Sequence, residues 1–501
     1  MGRPPKKDSA QIDFGDIKKA LNSQLKMKII TDVEPIEYWV STGSKLLDYI
    51  VSNKRDGGFP CSRICEVIGL ESCLSGDTII IVDIESSISA ITIDTLREMI
   101  NKEPNKKIKI LTPFGFQRMG AFFDKGMLKA RKYIFDDKTH LKATDEHLCY
   151  DYAADVWKKM SEFKIGDKLT SLNTRGYSQI VKIEKAQKIN IYDIEILHKS
   201  HSYYTNNILS HNSGKSLIVT MALISTQKMG GAAILADTEH AASPEFMTRL
   251  GLDFDKLIYL EPDCLEDGFN AIEAAVKLIR ERNTEIPITV VFDSVAGCPA
   301  RSAMEADFNS QAMGVEARVV SRSLKKITQT GKKNVLYLFT NQMRQKIGGF
   351  NPLGLPSYTT PCGLALKFHS SVRIQLTRGK EIKNKDGDII GYITKAKVIK
   401  SRIAPPMRTC EFDLYFENGI DDGGYILAEL SKRGIIEQGG AWYDIDGQKM
   451  QKSNFLEALK TDLSFAEQID GMLEKAMVIE YNNKPLEEIS YAEGEPQPDL
   501  D

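Results

Sequence analysis

Two short segments, far apart in the chain, hold the two halves of one phosphate-binding loop. The first is "GLES", residues 69–72, which follows the apolar run "RICEVI". The second is "SGKS", residues 213–216, which opens the apolar segment "LIVTMALIS". Joined end to end, they give the spacing G-x-x-x-x-G-K-[ST] between a strand and a helix. Neither half matches this motif alone, so the sequence predicts that residues 73–212 interrupt a nucleotide-binding domain.

The residue types of the joined loop are those that bind ATP and Mg²⁺. Backbone N–H groups at a helix N-terminus bind phosphates, Lys215 is expected to contact the terminal phosphates, and Ser216 to bind the metal ion. The predicted loop consists of Gly69, Leu70, Glu71, Ser72, Ser213, Gly214, Lys215 and Ser216. Asp293 ends the apolar run "ITVVFD" and is expected to support Mg²⁺ through water. The alternative for an aspartate at a strand end is a simple turn or helix cap.

The interrupting segment begins and ends with residues that can break and re-form peptide bonds. The thiol of Cys73 can take over the acyl group of Ser72 as a thioester, because nucleophilic catalysis divides one difficult step into easier ones. The hydroxyl of Ser213 can then attack that thioester to give a branched ester. Asn212 can cyclise through its side-chain amide and cut the chain after itself. These steps would join Ser72 to Ser213 and release residues 73–212, which number 140.

This arrangement resembles the intein family, whose members excise themselves by protein splicing. The opening "CLSGDT" and the closing "LSHNS" carry the resemblance, which covers residues 73–212. A Thr-x-x-His pattern, or an asparagine before a serine, is commonplace alone. Their joint occurrence in a segment whose removal restores a phosphate-binding loop favours splicing. The family's other functional positions are matched by Thr144, His147, Asp193, His201 and His211.

The intein resemblance implies a role for each of these five residues. Thr144 and His147 would polarise the first scissile carbonyl and protonate the departing amide nitrogen, and such groups typically contribute about 100- to 10,000-fold. Asp193 would control the timing of the first and second steps. His201 and His211 would transfer protons while the asparagine cyclises.

Short β-type runs fill the interrupting segment, with turn residues between them. Examples are "DTIIIVDI", "KIKILT" and "INIYDIEIL". This pattern predicts an all-β domain, the splicing (Hint) fold that the intein resemblance implies. The segment has no acidic endonuclease signature and little room for one, which predicts a mini-intein without homing activity.

The remaining 361 residues alternate between apolar strand-like runs and amphipathic helices. Examples are "AAILADTEH", "NAIEAAVKLIRER" and "ITVVFDSVAG". Such alternation predicts an α/β fold with a largely parallel sheet covered by helices on both faces.

Motifs throughout this host region resemble the RecA-type recombinase family, over roughly residues 11–475. They include "STGSKLLDYI", the joined loop, "DTEHAASPEF", "MGVEARVVS", "FTNQMRQKIGGF", "ALKFHSSVR", "AKVIKSRIAPP" and "GAWYDIDG". The resemblance implies a RecA-like ATPase core and a helical filament on single-stranded DNA with ATP between subunits. It also implies pairing with homologous duplex DNA, with single-strand-binding or mediator proteins as further partners.

The recombinase resemblance assigns residues to ATP hydrolysis. Glu239 would activate the attacking water, and Gln342 would sense the terminal phosphate next to a DNA-contacting loop. Lys400 and Arg402 would reach the ATP site of the neighbouring subunit and neutralise charge in the transition state. Without the resemblance, these last two would be ordinary exposed cations on a strand. Phe246 would stack on the adenine.

Two segments, residues 304–318 and 344–361, are candidates for DNA contact. Both contain glycines and cations, a composition typical of a mobile loop that follows a phosphate backbone. The candidate residues are Met313, Gly314, Arg318, Arg344, Lys346, Gly348 and Gly349.

Composition limits the function classes. No apolar run approaches the roughly 20 residues that span a bilayer, and the start "MGRPPKKDSA" lacks a secretory core, so a cytoplasmic protein without membrane contact is expected. The net charge of −2 excludes a globally basic surface, so nucleic acid would contact local patches. Eight irregularly spaced cysteines argue against a disulfide framework.

These observations predict the precursor of a DNA-repair recombinase with DNA-stimulated ATPase activity. The alternatives are another DNA-dependent motor of the RecA fold, and a DNA-coating protein for which ATP is only a switch. The predicted divisions are an N-terminal tail and protomer-packing helix (1–35), the first part of the ATPase core (36–72), the mini-intein (73–212), the rest of the core (213–415), a small α/β C-terminal domain (416–484) and an acidic disordered tail (485–501).

Overall fold

The computed structural model divides the chain into two compact units, Met1–Glu37 and Tyr38–Asp501. The structure describes residues 35–70, 74–103, 106–145, 147–196, 202–211, 215–238, 244–304, 314–330, 333–350, 356–359, 364–385, 389–415 and 418–480. The predicted N-terminal helix and acidic tail lie outside these ranges. The second unit contains the insert and the host from Tyr38 onward.

The first part of the host contributes three strands and one helix. They are β1 (Trp39–Val40), α1 (Lys45–Ser52), β2 (Phe59–Pro60) and β3 (Ile64–Leu70). Helix α1 begins after Ser44, whose hydroxyl accepts a hydrogen bond from the N–H of Leu47, and ends at Asn53 in the left-handed conformation.

The insert follows β3 and contains thirteen strands and one α-helix among its described residues. They are β4 (Leu74–Ser75), β5 (Ile79–Ile84), β6 (Ser87–Thr92), α2 (Ile93–Lys102), β7 (Ile108–Thr112), β8 (Gly115–Phe135), β9 (His140–Ala143), β10 (Leu148–Asp151), β11 (Val156–Lys159), β12 (Lys168–Thr170), β13 (Tyr177–Ile183), β14 (Gln187–Ile196), β15 (Ser202–Thr205) and β16 (Ile208–His211).

The rest of the host follows the insert. Its elements are α3 (Lys215–Lys228), β17 (Ala232–Asp237), α4 (Pro244–Leu250), β18 (Leu257–Leu260), α5 (Leu265–Arg282), β19 (Ile288–Asp293), α6 (Arg301–Met304), α7 (Val315–Thr330), β20 (Val335–Phe350), β21 (Pro356–Thr359), α8 (Ala365–His369), β22 (Val372–Lys383), β23 (Ile389–Ser401), β24 (Thr409–Tyr415), β25 (Gly419–Asp421), α9 (Gly423–Lys432), β26 (Glu437–Gly439), β27 (Trp442–Ile445), β28 (Gln448–Gln451), α10 (Lys452–Thr461) and α11 (Leu463–Met477).

The host strands form one sheet in the order β18-β17-β19-β20-β3-β22-β23-β24-β25. Strands β18 to β22 in this order are parallel, and β23 to β25 extend the sheet antiparallel. Successive side chains of a strand point to opposite faces. Leu235 and Val291 accordingly pack in one core with α1 and α3, while Ile234 and Val290 pack in another with α5 and α7. The predicted α/β architecture is confirmed.

The described strands of the insert belong to a single thirteen-stranded antiparallel sheet with its own hydrophobic core. The long strand β8 pairs with β14 from Gln187 to Ile196. The all-β prediction holds except for α2, which the sequence analysis missed. Thr92 caps this helix by accepting a hydrogen bond from the N–H of Thr95, and Ile93 and Leu96 are its buried residues.

The second candidate DNA segment is not the loop that the sequence predicted. Strand β20 continues to Phe350 and pairs antiparallel with β21, so that Arg344 lies opposite Thr359 and Gln345 opposite Tyr358. Aromatic and β-branched residues favour this pairing over an open loop. The hairpin contains the backbone of Arg344, Lys346, Gly348 and Gly349; their side chains lie outside the description.

Two helices, α10 and α11, follow the small sheet of β26 to β28 near the C-terminus. Phe455 and Ile469 from these helices pack in the same hydrophobic core as α1. Among the described residues, no helix has the length and apolarity needed to cross a membrane.

Candidate functional site

The residues predicted to bind nucleotide lie where the parallel strands end. Strand β3 ends at Leu70, β17 at Asp237 and β19 at Asp293. Asp237 lies beside Asp293, and Gln342 of β20 lies beside Gly69 of β3. Ligands of open α/β sheets bind at this carboxyl edge.

Helix α3 begins at Lys215, and its buried residues pack against one face of the sheet. Leu217, Ile218 and Val219 are buried, whereas Ser216 is exposed. The N–H groups of the first turn of a helix of this length attract anions. The remaining loop residues, Glu71, Ser72, Ser213 and Gly214, lie outside the described residues.

Asp293 is held by its neighbours at the end of β19. The hydroxyl of Thr340 donates to its carboxylate, and the N–H of Thr238 donates to its backbone carbonyl at 2.9 Å. Asp237 beside it accepts from the hydroxyl of Tyr259 at 2.9 Å. Burial and then the charge of Asp237 raise the pKa of Tyr259, which keeps this hydroxyl protonated. The sequence analysis missed this pair.

The donor set at this edge fits Mg²⁺. The metal prefers oxygen ligands, and the hydroxyl of Ser216 and the carboxylate of Asp293 supply them. Phe246 of α4 packs against Leu217, the residue after Ser216, with Tyr392 and Leu414. Glu239 lies outside the described residues.

Lys400 and Arg402 lie toward the opposite end of the sheet. Lys400 is opposite Arg373, which lies beside Glu66 of β3, whereas Gly69 is three residues further along that strand. At about 3.3 Å per residue this separation is about 10 Å along the strand. The backbone of Lys400 therefore does not lie at the level of the candidate phosphate loop of its own chain.

Both cations bind the C-terminal end of α8. The Nζ of Lys400 donates to the carbonyls of Lys367 at 2.5 Å and Phe368 at 3.1 Å. Arg402 donates to the carbonyl of Phe368 at 2.7 Å. Burial, together with the charges of Arg402 and Arg373, lowers the pKa of Lys400. The two cations form one positive cluster, in which each repels the other.

A buried ion pair lies between this cluster and the candidate phosphate loop. Arg373 donates to Glu66 at 2.5 Å, and the side-chain amide of Asn341 donates to the other carboxylate oxygen at 2.9 Å. Glu66 has no solvent exposure. The sequence analysis missed this pair, although a glutamate inside the apolar run "RICEVI" is a signal for it.

A groove of about 610 Å³ is lined by residues of α7 and α8. One of these residues is the predicted DNA contact Arg318. Arg322 and Lys325, one and two turns further along α7, line the same groove together with Phe368. The sequence analysis missed these three, which the helical spacing of the cations indicates. Gly314, directly before α7, has φ 81°, and Met313 lies outside the described residues.

Strand register gathers the predicted residues of the first splice junction. Leu74, the residue after Cys73, lies opposite Ala143 of β9 and opposite Tyr192 of β14. Thr144 directly follows Ala143, and Asp193 directly follows Tyr192. Both are nearly buried, and Asp193 accepts a hydrogen bond from the N–H of Ile194 at 2.9 Å.

His147 lies in the connection between β9 and β10 and is fully buried. Its Nε2 forms a hydrogen bond of 2.9 Å with the hydroxyl of Ser210. Its backbone N–H donates to the carbonyl of Thr144 at 3.1 Å. Burial lowers the pKa of His147 to about 3, so the imidazole is neutral at physiological pH.

The strands that lead to the second predicted splice junction pair next to this histidine. Ser210 of β16 lies opposite Cys149 of β10, and His211 lies opposite Ser202 of β15. The side chain of His211 lies outside the description, as do the whole of Cys73, His201, Asn212 and Ser213.

Comparisons with known proteins identify a family and several relatives of the chain. A family model described as "RecA N-terminal domain" matches residues 206–421. Protein RecA of Francisella tularensis is 38% identical over 278 residues, which cover 54% of this chain and 74% of that protein. Protein RecA of Macrococcus caseolyticus is 35% identical over 269 residues, which cover 53% of this chain and 73% of that protein.

Solved structures similar to the chain include inteins. The VidaL intein is 26% identical with a TM-score of 0.26, covering 29% of this chain and 99% of that structure. The gp41-1 intein is 21% identical with a TM-score of 0.23, covering 28% of this chain and 98% of that structure. Because the two RecA proteins are 38% and 35% identical to this chain and are covered over about three quarters of their length, the chain belongs to the RecA family, and an all-β domain interrupts it between β3 and α3.

Proposed function

We propose that the chain is the precursor of an ATP-dependent recombinase, and that removal of residues 73–212 by protein splicing completes its nucleotide site. The observation that carries the proposal is the position of the insert: it separates β3 from α3, the two elements that hold the halves of the phosphate-binding loop. A strand-loop-helix unit encloses a phosphate only when both halves are continuous. Membership of the RecA family supports nucleotide binding by the joined product.

The first splicing step is the transfer of the acyl group of Ser72 to the thiol of Cys73. The sulfur attacks the carbonyl carbon, the C–N bond breaks, and the thiol proton reaches the departing nitrogen. The register of Leu74 with Ala143 and Tyr192 supports roles for Thr144 and Asp193, because both follow the partners of the residue next to Cys73. Neutral, buried His147 is suited to carrying the proton.

The second junction completes the reaction. Ser213 attacks the thioester, and Asn212 cyclises and cuts the chain after itself. Ser202 lies opposite His211 on β16, so His201 precedes a residue paired next to Asn212. This pairing supports a proton-transfer role for His201 and His211. The ester between Ser72 and Ser213 then rearranges to a peptide bond.

In the spliced product, we assign ATP hydrolysis to the carboxyl edge of the sheet. Lys215 and the loop backbone bind the phosphates, and Ser216 and Asp293 hold Mg²⁺, which neutralises phosphate charge when bound. Glu239 activates the attacking water, and Phe246 stacks on the adenine. Gln342 senses the terminal phosphate, and its place in β20 connects the site to the hairpin formed by β20 and β21.

Lys400 and Arg402 act in the ATP site of a neighbouring subunit in this proposal. Their position, about 10 Å along the strand from the level of their own Gly69, supports action between subunits. Hydrolysis then requires the filament. Arg318, Arg322 and Lys325 form a basic row along the groove beside α8, which supports binding of single-stranded DNA there. Strand exchange, mediator partners and cytoplasmic localisation stay predictions.

Intact-mass analysis after expression tests the splicing proposal. The unchanged chain should yield a 361-residue product and a 140-residue segment, and a chain with Cys73→Ala and Asn212→Ala should stay at 501 residues. Asn454→Ala, at an exposed position of the host, is the control and should splice normally. An unchanged chain that remains at 501 residues would refute the proposal.

A further inference from the structure

Ser210 connects the two junctions of the insert and has no role in the scheme above. It is fully buried on β16, directly before His211 and two residues before Asn212. Its hydroxyl lies 2.9 Å from Nε2 of His147 and 2.6 Å from the hydroxyl of Thr205, with the thiol of Cys149 at 3.9 Å.

We propose that Ser210 is a positioning residue for splicing, whose hydroxyl holds the imidazole of His147 in one orientation and one tautomer. This inference rests on the proposed splicing function. A hydrogen bond at one ring nitrogen of a histidine determines which nitrogen carries the proton. Ser210 is the residue that forms this bond at Nε2.

The neighbouring hydrogen bonds are consistent with one direction. If the hydroxyl of Thr205 donates to the carbonyl of Ile208, 3.3 Å away, Thr205 accepts from Ser210, and Ser210 in turn accepts from His147. Nε2 then carries the proton, and Nδ1 is the basic nitrogen. Nδ1 can accept the thiol proton of Cys73 and pass it to the departing amide nitrogen.

The same hydrogen bond assists His147 when it carries both protons. A buried imidazolium is costly, which agrees with the lowered pKa of His147. The oxygen of Ser210 accepts from Nε2–H and partly replaces the lost water. Removing the hydroxyl therefore makes proton transfer slower and leaves the ring less well oriented, and a misplaced catalytic group can cost about 100-fold.

The position of Ser210 also explains how the first step is linked to the second junction. Ser210 belongs to the strand that leads to Asn212, so any movement of that strand is transmitted to His147 through one bond. The residues concerned are 63 positions apart in sequence. Because the hydroxyl of Ser210 contacts His147, which acts in the first step, we expect its removal to affect the first step more than the cutting of the second junction.

Half-reactions separate this role from a structural one. A precursor with Asn212→Ala reports the first junction alone, as cleavage by dithiothreitol, and a precursor with Cys73→Ala reports asparagine cyclisation alone. We expect Ser210→Ala to slow the first reaction about 10- to 100-fold and the second by less than about threefold. Ser210→Thr, which keeps a hydroxyl, should restore the first reaction. Ser210→Val, which has the shape of the threonine variant without the hydroxyl, should not.

Ser178→Ala is the matched control, because Ser178 is equally buried in the insert and bonds Asp137 and Ser171 instead of the histidine. It should leave both half-reactions within about threefold, because the hydroxyl of Ser178 belongs to a separate hydrogen-bond group. Equal rates for Ser210→Ala, Ser210→Thr and the parent precursor would overturn the role of Ser210 while splicing stands. Absence of cleavage in the parent precursors would instead refute splicing itself.

Discussion

Gln342 lies directly beside Gly69 on neighbouring parallel strands. The first residue of the candidate phosphate loop and the candidate phosphate sensor therefore share one level of the sheet. The strand that carries Gln342 continues without a break into the hairpin that contains Arg344. A change at the terminal phosphate can thus reach a candidate DNA-contacting segment through two residues of backbone.

The first prediction concerns this connection. Gln342→Ala in the spliced product should leave the Kd for ATP within about threefold, because the phosphate loop is intact, while removing most of the stimulation of ATP hydrolysis by single-stranded DNA. Phosphate release measured with and without DNA checks this. Stimulation equal to that of the unchanged product would remove the sensor role.

The second prediction concerns the subunit boundary. Glu239→Gln should lower kcat at least about 100-fold, and so should the double variant Lys400→Ala with Arg402→Ala. Mixing the two inactive proteins in equal amounts should restore about a quarter of the activity of the spliced product without substitutions. In a randomly mixed filament, about one site in four combines a chain that retains Glu239 with a neighbour that retains Lys400 and Arg402.

The mixing experiment has a clear opposite outcome. If Lys400 and Arg402 serve the ATP site of their own chain, every chain in the mixture lacks part of its own site. Activity then stays at the level of the inactive proteins. The Glu239→Gln protein alone, at the same total protein concentration, is the control.

The third prediction concerns the groove between α7 and α8. Arg322→Ala and Lys325→Ala should each weaken binding of single-stranded DNA and reduce the slope of log K against log salt by about 0.7, the value for one phosphate contact. Fluorescence anisotropy over a salt series measures both. Lys449→Ala, an exposed lysine of β28, should change neither. A slope unchanged in the groove variants would place DNA elsewhere.

The fourth prediction concerns the stability of the host. Asp48 accepts from the hydroxyl of Ser41 at 2.5 Å and the N–H of Thr42 at 2.8 Å, and burial raises its pKa from 3.8 to about 7. Its folded pKa exceeds the unfolded value, so the protonated form stabilises the fold at low pH. This contribution is lost as the pH rises toward 7.

Denaturation of the spliced product by urea should therefore give a free energy of unfolding that falls between about pH 4 and pH 7. Asp48→Asn should flatten this dependence, because an amide does not titrate. Asp422, whose pKa burial also raises, contributes a slope in the same direction, which remains in the Asp48→Asn variant. Asp56→Asn at an exposed position is the control, and a profile for Asp48→Asn parallel to that of the parent would contradict the prediction.

Sequence periodicity was sufficient to predict the parallel sheet, whereas the two halves of the phosphate loop stay a prediction from motif spacing. Buried strands such as β3 and β19 are continuous apolar runs, and the glycine, lysine and serine of the loop have fixed spacing. The resemblance to inteins supplied the order of Thr144, His147 and Asp193 along the chain, and their roles in splicing stay predictions.

The missed features depend on contacts between distant residues. Arg373 and Glu66 are 307 positions apart, and local patterns carry no information about such a pair. The hairpin of β20 and β21 was missed because glycine and lysine suggested a loop, whereas the partner strand decided the conformation. Ser210 resembled any small residue of a strand until its contact with His147 was known.

The measurement that tests the central claim most directly is the binding of a fluorescent ATP analogue, with Mg²⁺, to two forms of the protein. One is the spliced product, and the other is the full-length chain held intact by Cys73→Ala and Asn212→Ala. We expect the spliced product to bind at least about 100-fold more tightly, a difference of about 2.7 kcal/mol, because only there is the phosphate loop continuous. Equal Kd values for the two forms would contradict the claim that splicing completes the nucleotide site.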